Sequence, residues 1–195
     1  MTSKVLSEAD LAAWVVDLAG AGTRVIAPVA RGDGRRAEYQ PIERLEQATL
    51  GGALPRRSLK ELFLPPSEVL LRYRQTKQGV ELDEVPTAFP PQVVLGARPC
   101  DAAGVATLDA VMGWGQRDEL WFGRRAATTI VSVACPGVDS SCFCASVGLG
   151  PDSTRGTDLL LVPLDRPAAR RGPASPQAKE LETSVEAFLQ DSEPF

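Results

Sequence analysis

The stretch from Gln92 to Cys135 reads QVVLGARPCDAAGVATLDAVMGWGQRDELWFGRRAATTIVSVAC, and it decides the fold. Gln92 to Gly96 (QVVLG) is a short apolar run of buried-strand type. Ala97-Arg98-Pro99-Cys100 leads out of it, and Asp101 is placed to cap a helix carrying Val105, Leu108, Val111 and Met112 on one side. After a polar stretch, Thr128 to Ala134 (TTIVSVA) is a second apolar, β-branched run that ends at Cys135-Pro136. Strand, helix, strand is a βαβ unit, so the two strands are expected to be parallel. The class is therefore α/β, with a central mixed sheet whose strand ends carry cysteines.

Outward from this unit, the N-terminal part supplies a helix and a hairpin. Ser7 with Asp10 reads as a capping box, and Leu11, Trp14, Val15 and Leu18 recur at helical spacing until Gly20 and Gly22. Thr23 to Ala30 reads as a strand, and Gly32-Asp33-Gly34 as a turn into a second strand, Arg35 to Gln40. Ser58 with Glu61 forms another capping box before Leu62 and Phe63. Pro65-Pro66 breaks that helix, and Ser67 opens a further turn carrying Val69, Leu70 and Leu71. Asp158 to Leu164 (DLLLVPL) adds another strand.

Residues 1–164 are expected to form one domain, followed by a linker at 165–177 (DRPAARRGPASPQ) and a C-terminal helix and tail at 178–195. Leu181, Val185, Phe188 and Leu189 lie on one face of that helix. Such a stripe docks either on its own domain or on a partner protein.

Composition narrows the chemistry. The chain has 195 residues, 44% hydrophobic and 24% charged, which is the balance of a globular protein. It contains no histidine, which excludes Ser-His-Asp and Cys-His triads, His-ligated zinc and a histidine base. No apolar run approaches the roughly 18 residues of a membrane span, and the N-terminus lacks a signal-peptide core. A cytoplasmic location follows as the expectation. A net charge of −4 and 6% aromatic residues argue against nucleic acid as a partner. There is no Gly-x-Gly-x-x-Gly motif and no phosphate-cradling loop, although flavin needs neither.

Unusual chemistry is left to Cys100, Cys135, Cys142 and Cys144, three of them within ten residues. Parallel strands put Cys100 and Cys135 on the same edge of the sheet, where α/β proteins bind ligands. The segment from Cys135 to Cys144 loops out from that edge and can bring two more thiols back over it. Arg98 and a helix N-terminus beside Cys100 favour anionic sulfur. Reduced cysteines so placed bind metal more often than they form disulfides. Iron–sulfur clusters and zinc both accept four thiolates, and the spacing lacks the paired Cys-x-x-Cys hooks of structural zinc. Buried cysteines with no common role, and a Cys142–Cys144 or Cys135–Cys142 disulfide, are the plainer alternatives.

The stretch Ser58-Leu-Lys-Glu-Leu-Phe-Leu-Pro-Pro-Ser-Glu-Val-Leu-Leu71 resembles one in a family of iron–sulfur electron-transfer subunits. So do Leu95-Gly-Ala-Arg-Pro-Cys-Asp-Ala102, Leu108-Asp109, Arg124-Arg125, Ala134-Cys135 through Cys142-Phe-Cys144, and Gly156-Thr-Asp-Leu159. The family includes the beta subunit of sulfhydrogenase-type nickel–iron hydrogenases and the iron–sulfur subunit of anaerobic sulfite reductase. The resemblance covers about residues 55 to 165, and Arg-Pro-Cys-Asp and Cys-x6-Cys-Phe-Cys are its specific elements. It implies a non-catalytic electron-relay subunit of an oxidoreductase complex, with Cys100, Cys135, Cys142 and Cys144 holding one [4Fe-4S] cluster. The implied partners are other redox subunits: ferredoxin-like, flavoprotein, hydrogenase or reductase. A zinc-binding or metal-free assembly subunit is the alternative. Family members continue into a two-cluster ferredoxin domain, whereas no cysteine follows Cys144 here. The next redox centre is therefore expected from another polypeptide, whether the chain is a short subunit or a fragment. Asp101, Asp109 and Arg124-Arg125 are expected to act structurally, in helix capping and ion pairing.

Overall fold

The computed structural model describes residues 4–32, 36–52, 55–84, 89–137 and 142–164. Ser7 has extended backbone, and its Oγ accepts from the Asp10 N–H at 3.1 Å, capping α1 (Glu8–Gly20). Val15 is fully buried on α1, and Leu11, Trp14 and Leu18 pack around it, as the spacing predicts. The chain turns at Ala21–Gly22 into β1 (Arg24–Arg31), which pairs antiparallel with β2 (Arg36–Ile42). A separate antiparallel ribbon follows, β3 (Leu71–Thr76) with β4 (Gly79–Glu84).

The βαβ unit consists of β5 (Gln92–Ala97), α2 (Pro99–Met112) and β6 (Thr128–Val133). β5 and β6 are adjacent and parallel, with Val94 opposite Ile130. The last strand, β7 (Leu159–Leu161), runs parallel to β6. The sheet order is β2-β1-β5-β6-β7, antiparallel only at β1–β2. This is the expected mixed α/β sheet with an N-terminal helix and hairpin. Alternation along the strands separates two cores. Val25, Ala27, Val93, Leu95 and Val131 face α1. Val94, Ala97 and Ile130 face α2, together with Leu59, Phe63 and Trp121.

Three local expectations need correction. α2 begins two residues before Asp101: Arg98 is its N-cap, Pro99 its first residue, and Cys100 and Asp101 lie in its first turn. Proline is preorganised for that first position and lacks only an N–H that the helix would leave unused. Asp101 is thus a first-turn acid and not the cap. Second, the Ser58 segment is a 3-10 helix, Leu59–Leu62, with Ser58 Oγ accepting from the Lys60 N–H. Third, the residues after Ser67 do not form a helical turn but lead into the β3–β4 ribbon. Its period is two: Tyr73 stands opposite Leu82, and Arg72 and Arg74 stand opposite Asp83 and Glu81.

The polar stretch between α2 and β6 holds α3 (Glu119–Ala126), absent from the sequence expectations and capped by Asp118, whose Oδ1 accepts from the Trp121 N–H at 2.9 Å. The expected linker at 165–177, the helix at 178–190 and the tail lie outside the described residues. No helix among the described residues is long and apolar enough to cross a membrane.

Candidate metal centre at the strand ends

Pro28 opens the sheet edge that carries the cysteines. It sits inside β1 and lacks an N–H, and the β1–β5 ladder extends only from Arg24 to Ile26. Beyond that point β5 changes register at Gly96, where φ is +85°. A side chain at Gly96 would meet Leu50 Cδ2 at 2.6 Å and Pro28 Cδ at 3.1 Å, so only glycine lets Leu50 fold over the gap. The segment around Leu50 thereby comes beside Arg98, whose Nη2 donates to the Gly52 carbonyl at 3.4 Å.

Cys100 projects from the first turn of α2, just past β5, and Cys135 follows β6. Adjacent parallel strands place both at one edge, as the βαβ reading requires. The two sulfurs lie close enough for charge on Cys135 to act on Cys100. Arg98 Nη1 donates to Cys135 Sγ at 3.5 Å, and the Cys135 thiol donates to the Gly137 carbonyl at 3.1 Å. Backbone bonds hold the exit of β6: Ala134 N–H to the Leu161 carbonyl and Cys135 N–H to the Pro151 carbonyl, both 2.8 Å. The second bond returns the chain after Cys144 to this edge. Cys144 opens a 3-10 helix (Cys144–Val147), and its carbonyl accepts from the Leu149 N–H at 2.9 Å. Gly156 has φ +74° and lies against α2, where a Cβ would collide with the Ala102 carbonyl oxygen. That close approach seats the 150–157 segment on the helix bearing Cys100.

The electrostatics differ from the sequence expectation. Arg98 and the Asp101 backbone N–H do favour the Cys100 thiolate, but its pKa is nevertheless raised. Cys100 reaches solvent, yet desolvation by the surrounding protein is the first cause, followed by the charges of Asp101 and Cys135. Asp101 is itself raised by burial, against the pull of Arg98 and Lys60. An edge that disfavours additional anions suits a thiol that gives up its proton only to a metal.

No disulfide links the four cysteines. Among the described residues, no three Cys, Asp or Glu side chains converge as a metal-ligand group. The structure thus brings together Cys100 and Cys135, with Arg98, and places Cys142 and Cys144 on the returning loop without gathering all four. The donor chemistry of this pair fits a thiophilic metal.

Comparison with protein-family models, with curated proteins and with solved structures finds no match.

The other residues singled out by sequence have structural roles. Asp109 accepts from the Trp121 indole N–H at 2.8 Å and from Arg125 Nε at 3.4 Å. Arg124 pairs with Glu68, donates to the Phe63 carbonyl at 3.1 Å and stacks over Phe89, 4.8 Å from its ring centre. Its charge is satisfied inside the fold. Sequence reasoning did not identify Tyr39. On β2 it reaches the α2 side of the sheet, and its hydroxyl is buried with no hydrogen-bond partner. Its alternation with Ala37 and Pro41 resembles any half-buried strand, so no sequence signal marks it.

Proposed function

We propose that this chain is an electron-transfer subunit of a multisubunit redox complex, working in the cytoplasm, with Cys100, Cys135, Cys142 and Cys144 holding one [4Fe-4S] cluster. The observation that carries the proposal is the meeting of Cys100 and Cys135 at the ends of adjacent parallel strands, with Arg98 bonded to the Cys135 sulfur. The resemblance of Arg-Pro-Cys-Asp and Cys-x6-Cys-Phe-Cys to iron–sulfur subunits supports it independently. When bound, the cluster supplies reversible one-electron storage. The chain's part is to hold the sulfurs, offset their charge with Arg98, and exclude water with Leu50 and the 149–151 segment. No residue acts as acid, base or nucleophile. Partner subunits supply and remove the electron.

A second proposal has the domain as a zinc-binding or metal-free assembly piece of such a complex. The lack of any three-residue ligand group among the described residues favours it. Anaerobic purification decides between them by iron and acid-labile sulfide content and EPR after dithionite reduction. Near four irons and four sulfides per chain, with a reduced-cluster signal, is expected for a [4Fe-4S] protein. Zinc alone, or no metal after reconstitution with iron and sulfide, would overturn the electron-transfer proposal.

A further inference from the structure

Tyr39 presents a buried hydroxyl that donates to nothing. A phenol desolvated without a partner costs stability, on the order of 1–3 kcal/mol, so such a group is retained where a partner arrives. The surroundings identify where that partner sits. Tyr39 lies on β2 at the register of Pro28, the residue that opens the sheet edge. It packs on the α2 side of the sheet, and Asp101, Arg98 and Cys100 are near enough for their charges to act on it. Burial, and then Asp101, hold its pKa well above the ordinary phenol value. Tyr39 is therefore a neutral O–H at physiological pH, able to donate and unable to become an anion beside the thiolates. Cys100 is the sulfur among these neighbours, and a sulfur bound to metal is an acceptor.

We infer that Tyr39 is a positioning residue for the metal centre, donating its buried hydroxyl to the Cys100 sulfur when that sulfur ligates the metal. The inference rests on the electron-transfer proposal and deepens it. A donor to a ligating sulfur stabilises the more negative, reduced state, so Tyr39 raises the midpoint potential. The competing acceptor is the Asp101 carboxylate, and in that case Tyr39 leaves the potential unchanged.

The experiment uses the full chain, loaded anaerobically with iron and sulfide, in wild-type and Tyr39→Phe forms. Expected are equal iron and sulfide contents, a downward shift of midpoint potential in an EPR-monitored titration, and loss of a D2O-sensitive shift in the Fe–S(Cys) stretching bands. Equal metal content with unchanged potential and bands would overturn the inference and leave the electron-transfer proposal standing. Failure of the wild-type chain to take up iron would overturn both, and the metal assay identifies that case. If Tyr39→Phe does not keep its cluster, 3-fluorotyrosine provides a second arm. The chain has two tyrosines, so labelling in a Tyr73→Phe background marks position 39 alone. The stronger donor is expected to shift the potential upward, and no shift overturns the inference.

Discussion

Arg98 donates to the sulfur of Cys135 at 3.5 Å across two adjacent parallel strands, tying the start of α2 to the end of β6. The same guanidinium holds the Gly52 carbonyl, so one side chain joins three segments of the site. Lysine has a single ammonium and cannot reproduce that fork. Arg98→Lys is expected to lower the midpoint potential of a bound cluster, and Arg98→Gln to lower it further. Because the residue is partly exposed, the loss of folding stability is expected to be only about 1 kcal/mol, measured by urea denaturation of the metal-free chain. An unchanged potential in both variants would remove Arg98 from the site's electrostatics.

Neither apolar core includes a cysteine. The metal-free chain is therefore expected to keep its helices and sheet, unlike small zinc domains that fold only with metal. Far-UV circular dichroism after chelation is expected to match the loaded protein, with a single cooperative thermal transition. Loss of most helical signal on metal removal would contradict this.

Asp109 satisfies the indole N–H of Trp121, which is fully buried. Asp109→Ala leaves that donor and Arg125 without their shared acceptor. The expected cost is about 2–3 kcal/mol of stability, from a buried unsatisfied donor plus a broken charge contact. Asp109→Asn keeps an acceptor for the indole and is expected to lose less. Similar denaturation midpoints for both variants would show that the indole bond contributes little.

Gly156 combines a left-handed backbone with contact on α2, where an added Cβ would stand 2.9 Å from Ala106 Cβ and closer still to the Ala102 carbonyl. Gly156→Ala is expected to destabilise the fold by about 2–4 kcal/mol through strain and overpacking. By displacing the segment seated beside Cys100, it is also expected to reduce iron uptake. A full complement of iron would separate this contact from the metal site.

The β3–β4 ribbon gives the opposite expectation. Tyr73 and Leu82 are each 70% exposed. Replacing both with serine is expected to change monomer stability by less than about 1 kcal/mol, because little burial is lost. A large drop in denaturation midpoint would mean that the ribbon face is covered in solution.

Much of the fold is legible from local pattern. Buried strands such as Val93–Leu95 and Ile130–Val133 are continuous apolar runs, and α1 carries both a cap and a helical stripe. The elements that escape are short or one-sided. α3 has eight residues and one fully buried side chain, too few for a periodic signal. The β3–β4 ribbon exposes both faces, so its alternation carries no burial contrast. The α2 boundary depends on Pro99 at its first position, which outweighs Asp101 as a cap.

The sequence by itself determined the α/β class, the lack of imidazole, the four thiols and the edge at which Cys100 and Cys135 meet. These follow from composition and from the rule that parallel strands end on the same side. Tertiary structure alone decided that Arg98 reaches the Cys135 sulfur and that Cys100 resists ionisation. It also decided that Tyr39, far before Cys100 in the chain, brings an unpaired hydroxyl toward the same place. The physical reason is that hydrogen bonding and desolvation depend on which distant side chains share a volume. Here that volume is set by the gap beyond Pro28 and the backbone of Gly96, which strand pattern alone does not describe.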